Sequence, residues 1–341
     1  MHYCPDPHRY DQTRFRRCGN SGLRLPLISL GLWQNFGGVD AFEDGRAVLR
    51  HAFDRGVTHF DCANMYGPPN GSAEVNLGTI IRADFRAHRD ELIISSKAGY
   101  EMWPGPYGVG ASRKHLMASI DQSLRRLGLD YVDIFYAHRP WPDDPMEETM
   151  AAMADIARQG KALYVGVSSF SPERTRRAAE LLEAEGVRLL IHQPSYSMFN
   201  RHIENGLLDT LGDLGVGCIG FSALAQGLLT DRYADGAPST TRTSERSTFS
   251  SDVLSEANIR RVRALAKIAK RRNQSLAQMA IAWVLRDPGV TSALIGARTV
   301  EQLDDSLESL DHLEFTSDEL TDIDQYAQEG GIDLWRETSN L

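Results

Sequence analysis

Cysteine is sparse in this chain: four residues in 341 (Cys4, Cys18, Cys62 and Cys218), with no CxxC pair among them. That spacing fits no zinc or disulfide framework, and a chain of this length needs no covalent staples, so reduced thiols in a cytoplasmic setting are expected. The ten histidines contain no HExxH pair, which argues against a metal centre. No apolar run approaches a membrane span of roughly 18 residues, Met1 to Tyr10 carry no apolar leader, and no GxxxxGK[ST] phosphate loop occurs. Positive charge is short as well: 37 Lys and Arg against 46 Asp and Glu leave a net charge of −9. Nucleic acid and anionic membranes therefore have no electrostatic support as partners. Any phosphate bound here must be held by backbone amides and single arginines.

What is present is a full complement of core-forming residues, 42% hydrophobic with 24% charged. Residues 15–26 read as a hairpin around the turn at Gly19 to Gly22. Strand-like runs follow at 27–33, 59–61, 92–98, 132–137, 162–168, 189–193, 217–222 and 292–295. Helical stretches fall between and after them, at 41–55, 73–83, 112–127, 145–159, 171–185, 205–214, 254–272 with 276–286, and 300–310. Ser171 and Pro172 are the expected N-cap and first residue of one of these helices. Eight apolar strands, each followed by a helix, form the α/β pattern of a (β/α)8 TIM barrel, here with an N-terminal β-hairpin below and an extra C-terminal helix at 317–328. No change of composition divides the chain, so one domain is expected over 1–341, with residues 1–13 as an N-terminal extension. The long polar stretch at 231–251 is expected as a loop on the rim after the seventh strand. Gly215-Val216-Gly217-Cys218-Ile219-Gly220 matches GxGxxG, but it leaves a helix and enters a strand, the reverse of a dinucleotide fingerprint.

Polar residues end most of these strands: Asp61, Lys97, His138, Ser168, Gln193 and Ser222. In such a barrel the C-terminal ends carry the chemistry. Tyr66 follows Asp61 by five residues. Its phenol ordinarily titrates near 10, and a buried Lys97 ammonium would bring that value down while Asp61 holds the lysine. His138 could orient a carbonyl oxygen. Together these groups suit protonation of an alkoxide as hydride reaches carbon. The alternative is a structural Asp61–Lys97 ion pair beneath a packed tyrosine. No tyrosine has a lysine four residues on, so the short-chain dehydrogenase pairing is absent.

The motif Gly56-x4-Asp61-x-Ala63-x2-Tyr66-Gly67, with Lys97 and His138, resembles the aldo-keto reductases over about residues 16–310. Gly31-Leu32-Trp33, Tyr66-Gly67-Pro68-Pro69, Lys97-Ala98-Gly99-Tyr100, His192-Gln193-Pro194-Ser195-Tyr196 and Leu224-Ala225-Gln226-Gly227-Leu228-Leu229 carry the likeness further. They point to the branch that holds potassium-channel β subunits and bacterial reductases of L-glyceraldehyde 3-phosphate. The resemblance implies an NADPH-dependent reductase acting on small aldehydes, L-glyceraldehyde 3-phosphate and methylglyoxal among them, in a homo-oligomer. By it Tyr66 is the proton donor, Asp61 and Lys97 tune it, and His138 positions the carbonyl. Trp33, Ser168, Ser169, Gln193 and Phe221 would meet the nicotinamide, and Ser222, Leu224, Gln226, Gly227 and Leu228 the pyrophosphate. Gly296, Arg298, Gln302 and Asp305 would meet the adenosine end. The chain departs from the pattern at Ser222-Ala223, Arg298-Thr299 and Asp305-Ser306, which leaves NADPH against NADH to Arg298 and its reach for a 2′-phosphate. Trp33, Trp103, Tyr107 and Trp141 are expected either as pocket walls or as packing, and Arg139 as an anion contact or a surface charge. The competing function is an NADPH-binding regulatory subunit with little turnover. In that branch asparagine typically stands where this chain has His138. A barrel of other chemistry, such as an isomerase, would leave the cofactor-type residues unexplained.

Overall fold

The computed structural model, which describes residues 3–233 and 254–332, opens with an antiparallel hairpin, β1 (Phe15–Arg17) and β2 (Arg24–Pro26). Eight further strands follow: β3 (Ile28–Gly31), β4 (His59–Asp61), β5 (Ile93–Ala98), β6 (Val132–Ala137), β7 (Ala162–Ser168), β8 (Leu189–Gln193), β9 (Gly217–Phe221) and β10 (Ser292–Ile295). They close into a parallel barrel in chain order, β10 pairing with β3. Helices cover the outside and side chains fill the lumen, so β4, β6, β8 and β10 are buried along their whole length. Burial on both faces is why these strands read as continuous apolar runs.

The helices are α1 (Phe42–Asp54), α2 (Ser72–Ile80), α3 (Arg113–Leu127), α4 (Met146–Arg158), α5 (Pro172–Ala184), α6 (Leu207–Leu214), α7 (Glu256–Arg271), α8 (Leu276–Leu285), α9 (Val300–Leu307) and α10 (Ser317–Asp324). Ser171 caps α5 as expected, its hydroxyl accepting from the Arg174 N–H, with Pro172 at the first position. Ser112 caps α3 in the same way, and Gly128, at φ 66°, ends it. All ten residues of α8 are buried, because it is packed by α7, α9 and β10 together. Three helices stop three or more residues short of their expected ends, among them the one predicted over 300–310, which gives way at Glu308–Asp311 to a tighter turn. The one predicted over 73–83 gives way at Ile81–Phe85 to a wider turn, where Asp84 is buried beneath Arg46 and Arg50 at 2.7 and 2.6 Å. The one predicted over 317–328 ends at Asp324. Of the loop predicted over 231–251, Asp231–Tyr233 makes a single turn and the rest lies outside the described residues. No helix among the described residues is long and apolar enough to cross a membrane.

The hairpin closes the lower mouth of the barrel, where the strands begin. Cys18 and Leu25, both fully buried, join Ile134, Tyr136, Ile191, Ile219 and Leu294 in one lumen cluster. Burying a leucine this way contributes about 2 kcal/mol. The GxGxxG-like stretch serves this contact. Gly215 ends α6 at φ 65°, and its carbonyl accepts from the Asn20 N–H at 2.8 Å. A Cβ on Gly217 would stand 2.3 Å from Cys18 Sγ, so only glycine lets the hairpin seat against β9.

Candidate active site

Alternation along two neighbouring strands sets the site. Asp61 and His59 share the inward face of β4, and Lys97 and Ser95 that of β5, with Asp61 paired opposite Ser95 in register. The Lys97 side chain is fully buried at the upper end of the lumen. Its ammonium donates to Asp61 Oδ2, to the Cys62 carbonyl at 2.7 Å and to Tyr66 Oη at 3.3 Å. Three N–H groups thus meet three acceptors. Since Lys97 donates to the phenolic oxygen, the Tyr66 hydroxyl proton is directed elsewhere. The other carboxylate oxygen, Asp61 Oδ1, accepts from Ser95 Oγ at 2.6 Å and Gln193 Nε2 at 3.2 Å. The His138 ring stands edge-on to Tyr66, centroids 5.9 Å apart, with Tyr100 packed on its other side at 4.6 Å. Its Nδ1 is buried without a hydrogen-bond partner.

The structure therefore brings Asp61, Tyr66, Lys97 and His138 together, but the electrostatics differ from expectation at one of them. Burial, then the Asp61 carboxylate, pushes the Tyr66 phenol well above its ordinary value instead of down. Lys97 is matched directly by Asp61, so little of its charge is left to favour a phenolate. A phenol that keeps its proton until an acceptor arrives is the resting form a proton donor needs. At His138, burial and the neighbouring cations Lys97 and Arg139 hold the imidazole well below its ordinary value. The ring is neutral at pH 7 and can donate a hydrogen bond without carrying charge.

The remaining expected contacts sort by position. Ser168 Oγ donates to the Gln193 carbonyl at 2.8 Å, and Ser169, at φ 58°, donates to the same oxygen from its N–H at 3.3 Å. The Gln193 side chain bonds to Asp61, so it links both serines to the carboxylate. Phe221 ends β9, half-buried and packed on the lumen cluster. Beyond it Ser222, Ala225, Gln226 and Gly227 all have left-handed backbone, at φ 60°, 48°, 58° and 96°. Leu224 is half-buried there, and the Leu228 side chain is fully buried, so only its backbone faces this turn. Gly296 and Arg298 are exposed after β10, and no carboxylate pairs with Arg298 among the described residues. Gln302 Oε1 accepts from the Arg298 N–H at 2.9 Å. Asp305 accepts from Gln278 Nε2 at 2.9 Å and Ser275 Oγ at 3.1 Å, which clips α9 to the start of α8.

Of the aromatic residues considered as walls, Trp33 is half-buried against the core and Trp103 lies on the His115 ring at 5.0 Å. Tyr107 is 57% exposed, because its carbonyl is held by the His115 ring at 3.0 Å and its own ring is left at the surface near Lys114. Arg139 is not a loose surface charge. Its guanidinium sits 4.2 Å from the Tyr100 ring and 4.5 Å from that of Trp141, with a buried, unpartnered Nε. Sequence reasoning did not single out His59, Ser95 and Tyr100 for the site. A signal existed for the first two, which stand two residues before Asp61 and Lys97 on the same strand faces.

The Aldo/keto reductase family model matches residues 27–328. Two Escherichia coli proteins, from strain K12 and O157:H7, are similar along their full length and that of this chain, at 55% and 54% identity; both are named L-glyceraldehyde 3-phosphate reductase. A rice protein named as a probable voltage-gated potassium channel β subunit is 35% identical, over 91% of this chain and 94% of its own length.

Proposed function

Because the chain belongs to the aldo/keto reductase family, we propose that it reduces small aldehydes, L-glyceraldehyde 3-phosphate foremost and methylglyoxal also, using NADPH with Tyr66 as proton donor. The observation that carries this reading is the Tyr66 hydroxyl, fixed by Lys97 on its oxygen and beside a neutral His138. Bound NADPH supplies the hydride. The residues present fit that cofactor. Ser168, Ser169 and Gln193 would hold the carboxamide beside Asp61, and Phe221 would lie against the ring. The turn from Ser222 to Gly227, with left-handed backbone at Ser222, Ala225, Gln226 and Gly227 and right-handed Leu224 between, has the backbone form that turns N–H groups toward an anion. Exposed Arg298 would take the 2′-phosphate, and Asp305 would act through the α8–α9 clip.

In the reaction His138 donates a hydrogen bond to the carbonyl oxygen and orients it. Tyr66 then passes its proton to the oxygen as negative charge develops there. The tyrosinate left behind keeps the hydrogen bond that Lys97 donates to its oxygen, and Asp61 holds that lysine in place. Arg139, a cation held between two rings beside His138, is placed to meet the phosphate of the substrate.

The test is a spectrophotometric screen of NADPH oxidation across small aldehydes with Tyr66→Phe as control. Glyceraldehyde 3-phosphate should exceed glyceraldehyde in kcat/KM by about tenfold or more. A ratio near one would remove phosphate recognition by Arg139. Cofactor binding without turnover of any aldehyde would place this chain with the channel-subunit relatives in function.

A further inference from the structure

We infer that His59, acting through Ser95, is a positioning residue for the Asp61–Lys97–Tyr66 assembly. Below the site an unbroken hydrogen-bonded chain crosses the lumen. Ser292 Oγ lies 2.7 Å from Ser29 Oγ, which lies 2.9 Å from His59 Nδ1. His59 Nε2 is 3.0 Å from Ser95 Oγ, and Ser95 Oγ is 2.6 Å from Asp61 Oδ1. All five side chains are fully buried.

The chemistry of its ends gives the chain one direction. Ionised Asp61 only accepts, so Ser95 donates to it. Having used its one proton, Ser95 accepts from His59 Nε2–H. Burial holds His59 down at about 4, so at pH 7 it is neutral and its Nδ1 accepts from the Ser29 hydroxyl. Ser29 in turn accepts from Ser292 at 2.7 Å, the shorter of the two contacts that share the single Ser292 proton, the other being to the Leu27 carbonyl at 3.3 Å. Every donor points toward the carboxylate, the arrangement in which successive hydrogen bonds strengthen one another.

A satisfied core histidine would be the plain reading, but the rest of the lumen weighs against it. β6, β8 and β9 put Ile134, Ile191 and Ile219 into the barrel's apolar core, with Ile134 opposite Ser95 and Ile219 opposite Ser292 in register. Aliphatic residues fill such space without needing partners, whereas each buried polar group must find one. The polar half of the lumen has one charged terminus, Asp61, and its effect falls there. Ser95 and Gln193 hold Oδ1, and this fixes the carboxylate plane so that Oδ2 faces Lys97. Without Ser95 or its donor the carboxylate is free to turn, and Lys97 and the Tyr66 oxygen lose their fixed separation. His59 touches no reacting atom in this account.

The inference rests on Tyr66 being the proton donor. Its test measures kcat and KM for a small aldehyde, NADPH affinity by fluorescence, and thermal stability. The variants are Ser95→Ala, Ser95→Thr, His59→Leu, His59→Gln and the Ser95→Ala/His59→Leu double. Ser95→Ala and His59→Leu should each lower kcat about 10- to 30-fold, with KM and NADPH affinity within about twofold of wild type. The double variant should be no slower than the slower single, because both act through one bond to Asp61. Ser95→Thr, which keeps the hydroxyl, and His59→Gln, which keeps an N–H near the Nε2 position, should recover kcat to within about threefold of wild type. The inference is overturned by wild-type kcat in Ser95→Ala, by losses that multiply in the double variant, or by loss of stability with kcat intact. If His59→Leu does not fold, Ser95→Ala against Ser95→Thr decides. Wild-type enzyme inactive on every aldehyde takes the functional reading down together with this one; active wild type with an unimpaired Ser95→Ala removes this one alone.

Discussion

At the lower mouth of the barrel the strand starts meet a hairpin through interlocking small residues, Cys18 against Gly217 and Asn20 against Gly215. At the upper mouth the strand ends meet each other through a buried cation and the groups that share it. The lower contact is steric and tolerates no added atom. The upper one is electrostatic, and it leaves a proton on Tyr66 and a neutral ring on His138 where an aldehyde could reach them. One end should therefore respond to mutation in stability and the other in rate.

The widest separation is expected from Tyr66→Phe, which removes one oxygen and no packing. Turnover should fall by about 10²- to 10⁴-fold with the unfolding temperature almost unchanged. Retention of a tenth of the activity would break the comparison. The mirror experiment is Gly217→Ala, whose methyl has no room beside Cys18. Unfolding free energy should drop by about 1–3 kcal/mol, while kcat of the folded protein stays near wild type. Adding Cys18→Ala should return part of the loss, and a purely additive double variant would deny the clash.

Between the two ends, buried histidines sharpen the contrast through pH. Burial holds His59 down at about 4 and His192 at about 3, below the ordinary 6.5 of the unfolded chain. Above 6.5 neither state is protonated and the full stability is present. As pH falls below 6.5 the unfolded chain takes up protons that the folded protein refuses, so stability is lost on the way toward 4 and 3. These two rings alone should make urea unfolding at pH 7 and pH 5 differ by roughly 2–4 kcal/mol, and His138, held down in the same way, adds to the loss. Arg46 and Arg50 hold Asp84 down at about 2 against its burial, so that carboxylate withdraws its contribution only at lower pH. A flat profile from 7 to 5 would mean that the folded protein accepts the protons. The smallest effect belongs to the rim: Arg298→Ala should narrow the preference for NADPH over NADH by about tenfold, read from the two affinities, with kcat little changed. An unchanged ratio would take Arg298 out of the account.

Much of this comparison was legible before any coordinates. The eight strands could be read because each is a short apolar run and most are closed by a polar residue, and the parallel barrel turns those closing residues toward one mouth. Asp61, Lys97 and His138 stood out for that reason, and Tyr66 by its distance from Asp61. The direction of the shift at Tyr66 was not legible. It depends on whether Lys97 is left to the phenol or matched by Asp61, and sequence spacing holds no such distances. Asp305 shows the same limit, since its partners Ser275 and Gln278 lie on a different helix. Where the Tyr107 ring stands was not legible, because its backbone carbonyl is held by His115, a contact that spacing does not reveal. The polar crossing from Ser292 to Asp61 was hidden because a lone serine or histidine inside an apolar strand carries no mark of its neighbours on other strands.

The sealed underside bears on how the enzyme resets. Fully buried Leu25 and Cys18 stop the lumen below, and the donor chain starts at Ser292, whose other neighbour, the Leu27 carbonyl, has no proton to give. If Tyr66 is the donor proposed above, a tyrosinate formed there would be resupplied from the upper mouth, the side from which aldehyde would enter and alcohol would leave. Chemistry and recharging would then take turns at one doorway.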